Sequence, residues 1–195
     1  MCGRYAFFSD EENIEIRRIA EMVDKKYGGG SMPYGEIFPS DKAVVLLSDD
    51  NKKIIDAEIM NWGYASIKQN TLVINARAET VDSINMFAKS MELYRCVVPS
   101  TGFYEWAKEE KDGVSVKSKY LFNLEGQYMV YMAGLYNKDN KFAIITTKAN
   151  DSMEKIHNRM PLIIQKKYLR DWIFDNEFAY RYLKETPPGI IYRAV

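Results

Sequence analysis

Cys2 is the residue of this sequence with the most specific chemistry. The chain opens MCGRY, and we expect Met1 to be removed because the residue that follows it is small. Removal would leave Cys2 with a free α-amine and a thiol. Their ordinary pKa values, about 8 and about 8.5, keep part of each group nucleophilic near neutral pH. With an aldehyde, the amine forms a Schiff base and the thiolate then closes a five-membered thiazolidine. The open alternative is a cysteine with no special role.

A second polar group lies in the segment INARAET. Asn75, Arg77 and Glu79 follow an apolar strand. Side chains on a strand repeat every two residues, so these three are predicted to share one face. An amide, a guanidinium and a carboxylate on one face are more typical of a site than of a core.

Glu105 is a third candidate because it stands between Tyr104 and Trp106 in a strongly apolar run. We expect the carboxyl to be partly desolvated, which would raise its pKa and suit it to proton transfer. An exposed position on an edge strand is the alternative.

The fourth candidate is His157, the single histidine of the chain, with Arg159 two residues further on. A lone histidine is more often structural than catalytic, so both roles stay open. One histidine and two distant cysteines do not make a zinc site, and no metal is expected.

The elements that must position these residues are mostly strands. A capping box at Ser9 and Glu12 predicts the start of a first helix, and the three glycines at 28–30 predict its end. Further helices are predicted over 83–93, 167–174 and 178–183. Hairpin turns are predicted at Asp112-Gly113, Glu125-Gly126 and Asp139-Asn140. Short β-like runs fill most of the remainder. We therefore predict an α+β fold: a single domain over 1–195, with a strongly bent, barrel-like antiparallel sheet and a few flanking helices.

Composition excludes several classes. The 27 Lys and Arg residues balance 27 Asp and Glu residues, so any nucleic-acid binding must come from a local basic patch. Two cysteines give no disulfide framework and favour a reducing, cytoplasmic location. No apolar stretch reaches the length of a membrane span, so no membrane partner is expected. A monomer without cofactors is expected.

Four motifs in order, MCGR, NAR-ET, GFYEW and IH-RMP, resemble the SOS-response-associated peptidase (SRAP) family, whose members cross-link to abasic sites in single-stranded DNA. The resemblance covers nearly the whole chain and implies an SRAP-like domain. The sequence departs from the family pattern in three segments, which read WGYASIK, YGEIFPS and PSTGFYEW. The family pattern implies catalytic roles for Cys2, Asn75, Glu105 and His157. It implies DNA contacts by Arg4, Arg77 and Arg159, with Trp62 and Trp106 as surfaces that stack on bases or cap a duplex end.

The resemblance implies a sensor or shield in the DNA damage (SOS) response that holds an abasic site as a thiazolidine on Cys2. In this mechanism Glu105 shuttles the proton that opens the sugar ring, Asn75 orients the amine, and His157 donates to a sugar oxygen or a phosphate. Autopeptidase and lyase-like activities are also implied. Two alternatives stay open: an N-terminal-nucleophile amidohydrolase that uses Cys2 on an amide, and a non-catalytic single-strand binding module. For each arginine the alternative to a DNA contact is an ordinary surface ion pair, and for each tryptophan it is packing in the core.

Overall fold

The computed structural model describes residues 2–49, 53–66, 71–111 and 114–195. This part of the chain forms four α-helices and fourteen strands. The helices are α1 Ile14–Tyr27, α2 Asn85–Leu93, α3 Leu169–Phe174 and α4 Asn176–Tyr182. The strands are β1 Tyr5–Phe7, β2 Gly35–Ile37, β3 Lys42–Asp49, β4 Ile54–Trp62, β5 Tyr64–Ala65, β6 Leu72–Val73, β7 Asn75–Arg77, β8 Arg95–Ser100, β9 Gly102–Lys111, β10 Val114–Leu124, β11 Val130–Tyr136, β12 Lys141–Lys148, β13 Arg159–Pro161 and β14 Ile190–Ala194.

The strands form two principal sheets. The first has the order β14-β10-β9-β1-β2 and is antiparallel throughout. The second runs β11-β8-β3-β4-β12, and β12 pairs again with β11, so these five strands close into a ring. The predicted α+β fold with a curled, barrel-like sheet is confirmed. Two pairings, β12 with β4 and β12 with β7, are parallel rather than antiparallel.

The second sheet is buried on both faces, and its strands therefore read as continuous apolar runs. Along β3, Val44 and Leu46 pack in a hydrophobic cluster with residues of all four helices. Val45 and Leu47 alternate with them and pack in another cluster, which contains Phe103 of the first sheet. This second cluster, between the sheets, also contains Cys2.

The first helix begins later than the sequence predicts. Asn13 is its N-cap, and the side-chain oxygen accepts from the backbone N–H of Glu15 at 3.0 Å and of Ile16 at 3.3 Å. Asp10 closes the turn before it by accepting from the N–H of Asn13 at 3.2 Å. The predicted capping box at Ser9 and Glu12 is wrong, because an Asn closer to the apolar stripe takes the same role. The predicted glycine stop is confirmed at Gly28 (φ 94°), whose N–H donates to a carbonyl of the last turn.

The predicted hairpin turns have three different outcomes. Asp139-Asn140 joins the antiparallel pair β11 and β12, as predicted. Glu125-Gly126 is a turn but not a hairpin, because β10 and β11, which it connects, belong to different sheets. Asp112-Gly113 lies outside the described residues. Within the described residues, no helix has both the length and the apolar character needed to cross a membrane.

Candidate active site

Cys2 lies fully buried, three residues before strand β1. Since β1 is paired with β2 on one side and β9 on the other, the backbone next to Cys2 is held firmly. The thiol donates a weak hydrogen bond to the carbonyl of Arg4 at 3.7 Å. Burial raises the pKa of the thiol well above its ordinary value, and the negative charge of Glu105 raises it further. The thiol is therefore protonated at neutral pH.

Asn75 connects β7 to Cys2. Its side-chain Nδ2 donates to the carbonyl oxygen of Cys2 at 3.0 Å, and its Oδ1 is buried without a hydrogen bond from the described residues. Strand β7 is fixed by parallel pairing with β12, Asn75 opposite Ile144. Ala76 is buried and Arg77 is exposed, as the predicted alternation requires.

Glu105 lies on the face of β9 that is directed toward Cys2. Along this strand Phe103 packs in the cluster that contains Cys2, whereas Tyr104 packs in a small cluster on the opposite face. Glu105 shares the face of Phe103 because it is two residues further on. The side chain is 4% exposed, and β9 is paired on both sides. The predicted desolvation of Glu105 is confirmed, and the alternative of an exposed edge strand is wrong.

His157 follows a turn over 151–156 and precedes β13. Its ring Nδ1 lies 3.0 Å from the backbone nitrogen and 3.1 Å from the carbonyl oxygen of Arg159, so the ring is held through Nδ1 and Nε2 is left for other contacts. His157 lines an open depression together with Arg77, Lys148 and Arg159. The structure thus brings His157 together with two of the predicted DNA-contacting arginines.

The two arginines in this depression differ in their partners. The Arg159 guanidinium donates to both carboxylate oxygens of Glu79, at 2.6 and 3.0 Å, and to the carbonyl of Thr146 at 2.6 Å. The bonds from Arg159 lower the pKa of the Glu79 carboxyl. Arg77, in contrast, is exposed. Arg159 is therefore held in a structural ion pair, whereas Arg77 is presented to solvent.

Arg4 and Trp106 meet on the outer face of the first sheet. The Arg4 guanidinium lies 4.2 Å from the ring centroid of Phe38 and 5.1 Å from that of Trp106. Both Arg4 and Trp106 are partly exposed. Single-strand binding surfaces combine basic groups with aromatic side chains, and both are present here.

Comparison with known proteins relates this arrangement to one family. Residues 1–187 match the family model described as SOS response associated peptidase (SRAP). The abasic site processing protein YoqW of Bacillus subtilis is 30% identical over 188 residues, which cover 89% of this chain and 80% of YoqW. The chain belongs to the SRAP family. The abasic site processing protein YedK of Escherichia coli is 26% identical over 181 residues, covering 89% of this chain and 79% of YedK.

A solved structure supports the fold of this SRAP chain. An X-ray structure of a protein from Bacteroides thetaiotaomicron superimposes with a TM-score of 0.77 at 20% identity, over 100% of this chain and 92% of that one. At this level of identity the match concerns the fold alone.

Trp62 does not lie on the surface of this SRAP chain. Its side chain is fully buried, stacked on Phe142 with 6.2 Å between ring centroids and edge-on to Tyr5 at 5.2 Å. The indole N–H donates to the carbonyl of Ile74 at 3.0 Å. The predicted role of Trp62 in stacking on bases or capping a duplex end is therefore wrong, since the side chain is fully buried and its N–H is bonded to protein.

The sequence analysis missed Tyr5, Glu36 and Lys119. The Tyr5 hydroxyl is buried and makes no hydrogen bond with the described residues. Burial raises the pKa of this phenol. An aromatic residue in a strand predicts core packing, so no sequence signal marks the hydroxyl. Glu36 and Lys119 form an ion pair at 2.7 Å beside Arg4, from strands that are distant in sequence.

Metal binding has no support from the described side chains. Among residues 2–49, 53–66, 71–111 and 114–195, no three His, Cys, Asp or Glu side chains cluster as metal ligands would. The chemistry available at the site of this SRAP chain is that of a buried thiol, a carboxylate and an amide.

Proposed function

We propose that this SRAP chain captures abasic sites in single-stranded DNA, in the DNA damage (SOS) response, as a covalent thiazolidine on Cys2 once Met1 has been removed. The observation that carries the proposal is the convergence of Cys2, Asn75 and Glu105 from three separate segments at one buried point. The abasic site processing activity named for the relatives YoqW and YedK supports the choice of substrate.

The reaction has two bond-forming steps. An abasic site is a closed sugar hemiacetal in equilibrium with an open aldehyde. The Cys2 amine adds to C1′ of the aldehyde, and loss of one water gives the imine. The Cys2 sulfur then bonds to the same carbon, the thiol proton passes to the imine nitrogen, and the ring closes. Two bonds form to C1′ and one water leaves.

The raised pKa of the Cys2 thiol fits this order of steps. A thiol that stays protonated near pH 7 leaves the amine as the first nucleophile. A protonated imine next to the sulfur then supplies a positive charge that favours the thiolate. Closure of the thiazolidine also suppresses β-elimination at C2′, which would otherwise cleave the strand as a lyase does.

The surrounding residues take supporting roles in the proposal. Glu105 moves the proton between the ring oxygen and the C1′ hydroxyl as the sugar opens. Asn75 holds the Cys2 carbonyl through Nδ2, and its buried Oδ1 is a suitable acceptor for the Cys2 amine. Arg77 contacts a phosphate, and His157 donates from Nε2 to a sugar oxygen or to the same phosphate.

The proposal is tested with two oligonucleotides that differ only in one abasic site. Intact-mass measurement first separates protein with and without Met1, and each form is then incubated with single-stranded DNA. We expect a heat-stable adduct only from the Met1-free form and only with abasic DNA, at the sum of the two masses minus one water. Reversible binding to both oligonucleotides without an adduct would instead identify a binding module. Glutamine hydrolysis without an adduct would identify an amidohydrolase.

A further inference from the structure

The Glu36 carboxylate lies between two cations, Arg4 and Lys119, on the outer face of the first sheet. It stands on β2, opposite Ala6 of β1. One carboxylate oxygen accepts from Lys119 Nζ at 2.7 Å, and the other from Arg4 Nη1 at 3.3 Å. All three side chains are 23–32% exposed, so the cluster is within reach of a ligand in solution.

Both cations are also stacked on aromatic rings. Arg4 lies over Phe38 and Trp106, and Lys119 Nζ lies 4.0 Å from the ring centroid of Tyr104. The aromatic rings and the shared Glu36 carboxylate hold the two cations next to each other on the surface of the sheet. Cations interleaved with aromatic rings are the elements from which single-strand binding surfaces are built.

Among these cations and aromatic rings, the Glu36 carboxylate is a negatively charged group. The hydrogen bond from Lys119, together with the charge of Arg4, lowers the pKa of Glu36, so it is ionised at neutral pH. An ionised carboxylate takes one hydrogen-bond donor from each cation and repels a DNA phosphate. A strand that contacts Arg4 and Lys119 through its phosphates therefore competes with Glu36.

We propose that Glu36 is a specificity-determining residue that occupies Arg4 and Lys119 as a phosphate surrogate and so weakens the binding of undamaged single strands. The inference rests on the proposed function, since it concerns the strand that brings the abasic site to Cys2. Weak reversible binding lets intact strands leave, whereas an abasic strand is retained by its covalent bond. Glu36 thereby increases the preference for damaged over intact DNA.

The test is the salt dependence of binding to an intact single-stranded oligonucleotide, measured by fluorescence anisotropy. Each phosphate contact with a single strand contributes about 0.7 to the slope of log affinity against log salt. Glu36→Gln should steepen the slope by about 0.7 if one cation is released and by about 1.4 if both are. Taking equal affinities at about 1 M salt, this corresponds at about 0.1 M salt to roughly 5-fold or 25-fold tighter binding. Glu36→Ala should change the affinity in the same direction.

Glu110→Gln is the matched control, because it removes the same charge from an exposed position on β9. If Glu36→Gln leaves affinity and slope equal to those of Glu110→Gln, the inference is wrong. Weaker binding would also overturn it, since Glu36 would then position Arg4 for DNA. Adduct formation with abasic DNA separates the two hypotheses: an adduct with unchanged binding contradicts only the role of Glu36, whereas no adduct from any Met1-free variant contradicts the proposed function.

Discussion

The two cysteines of this chain are equally buried but differ in their neighbours. Cys2 and Cys96 are both 0% exposed and belong to the same hydrophobic cluster. Cys96 stands on β8 opposite Gly134 of β11, and desolvation is the only cause that raises the pKa of its thiol. Cys2 shares the desolvation but has the Asn75 amide on its carbonyl and the Glu105 charge near its sulfur.

Under the proposed function, this difference separates the reacting thiol of Cys2 from the thiol of Cys96. Burial alone makes a thiol inert, because it disfavours the thiolate. An amide and a carboxylate beside a buried thiol carry a desolvation penalty, which only hydrogen bonds and ion pairs offset. The polar neighbours, rather than the thiol itself, distinguish Cys2 from Cys96.

The largest expected effect is on adduct formation, when Cys2 is replaced and Cys96→Ala serves as the control. Cys2→Ala should abolish the heat-stable adduct with abasic DNA, because no thiol traps the imine, and should leave binding to intact single strands unchanged. Cys96→Ala should retain the adduct. Denaturing gels and anisotropy measure the two properties. A heat-stable adduct formed by Cys2→Ala without borohydride would contradict the comparison, and so would its loss in a folded Cys96→Ala variant.

A smaller effect is expected when only the carboxylate beside Cys2 is changed. Glu105→Gln keeps the size and the hydrogen-bonding reach but cannot move a proton, so adduct formation should slow by roughly 10²–10⁴-fold while both Cys2 nucleophiles remain. The rate is measured on abasic single-stranded DNA over a long time course. Glu109→Gln is the control on the same strand, where Ser118 Oγ donates to the carboxylate at 2.7 Å. A wild-type rate for Glu105→Gln would assign the proton transfer to another group, His157 first.

The smallest effect concerns Tyr5, whose phenol is buried. Its hydroxyl makes no hydrogen bond with the described residues, and an unsatisfied buried polar group costs about 1–3 kcal/mol. Tyr5→Phe should therefore increase the free energy of unfolding by an amount in this range, measured by urea denaturation. A decrease of about 1 kcal/mol or more would indicate a bound water as partner.

The sequence was most informative where backbone geometry alone decides the outcome. Alternation placed Asn75 and Arg77 on one face of β7 with Ala76 on the other, because a strand repeats every two residues. The aromatic neighbours of Glu105 indicated its burial for a related reason, since an apolar run of that length is covered by other strands.

Sequence reasoning failed where partners come from distant segments. Trp62 ends an apolar strand, and nothing in its neighbours shows that Tyr5 and Phe142 cover its ring. Arg159 and Glu79 are 80 positions apart, so their ion pair is a product of the pairings of β7 and β13 with β12. The helix start was missed for a local reason: Asn13 and Ser9 are both capable caps, and Asn13 lies closer to the apolar stripe.

The pairing of β1 with β9 has a consequence for synthesis. Tyr5 pairs with Phe103, so the register spans 103 − 5 = 98 positions of the chain. Ribosomes add about 5–20 residues per second, and β9 therefore leaves the ribosome roughly 5–20 s after β1. During this interval β1 lacks one of its two neighbouring strands, and the sheets that bury residue 2 are incomplete. The removal of Met1 that the proposed function requires therefore has several seconds before β9 pairs with β1.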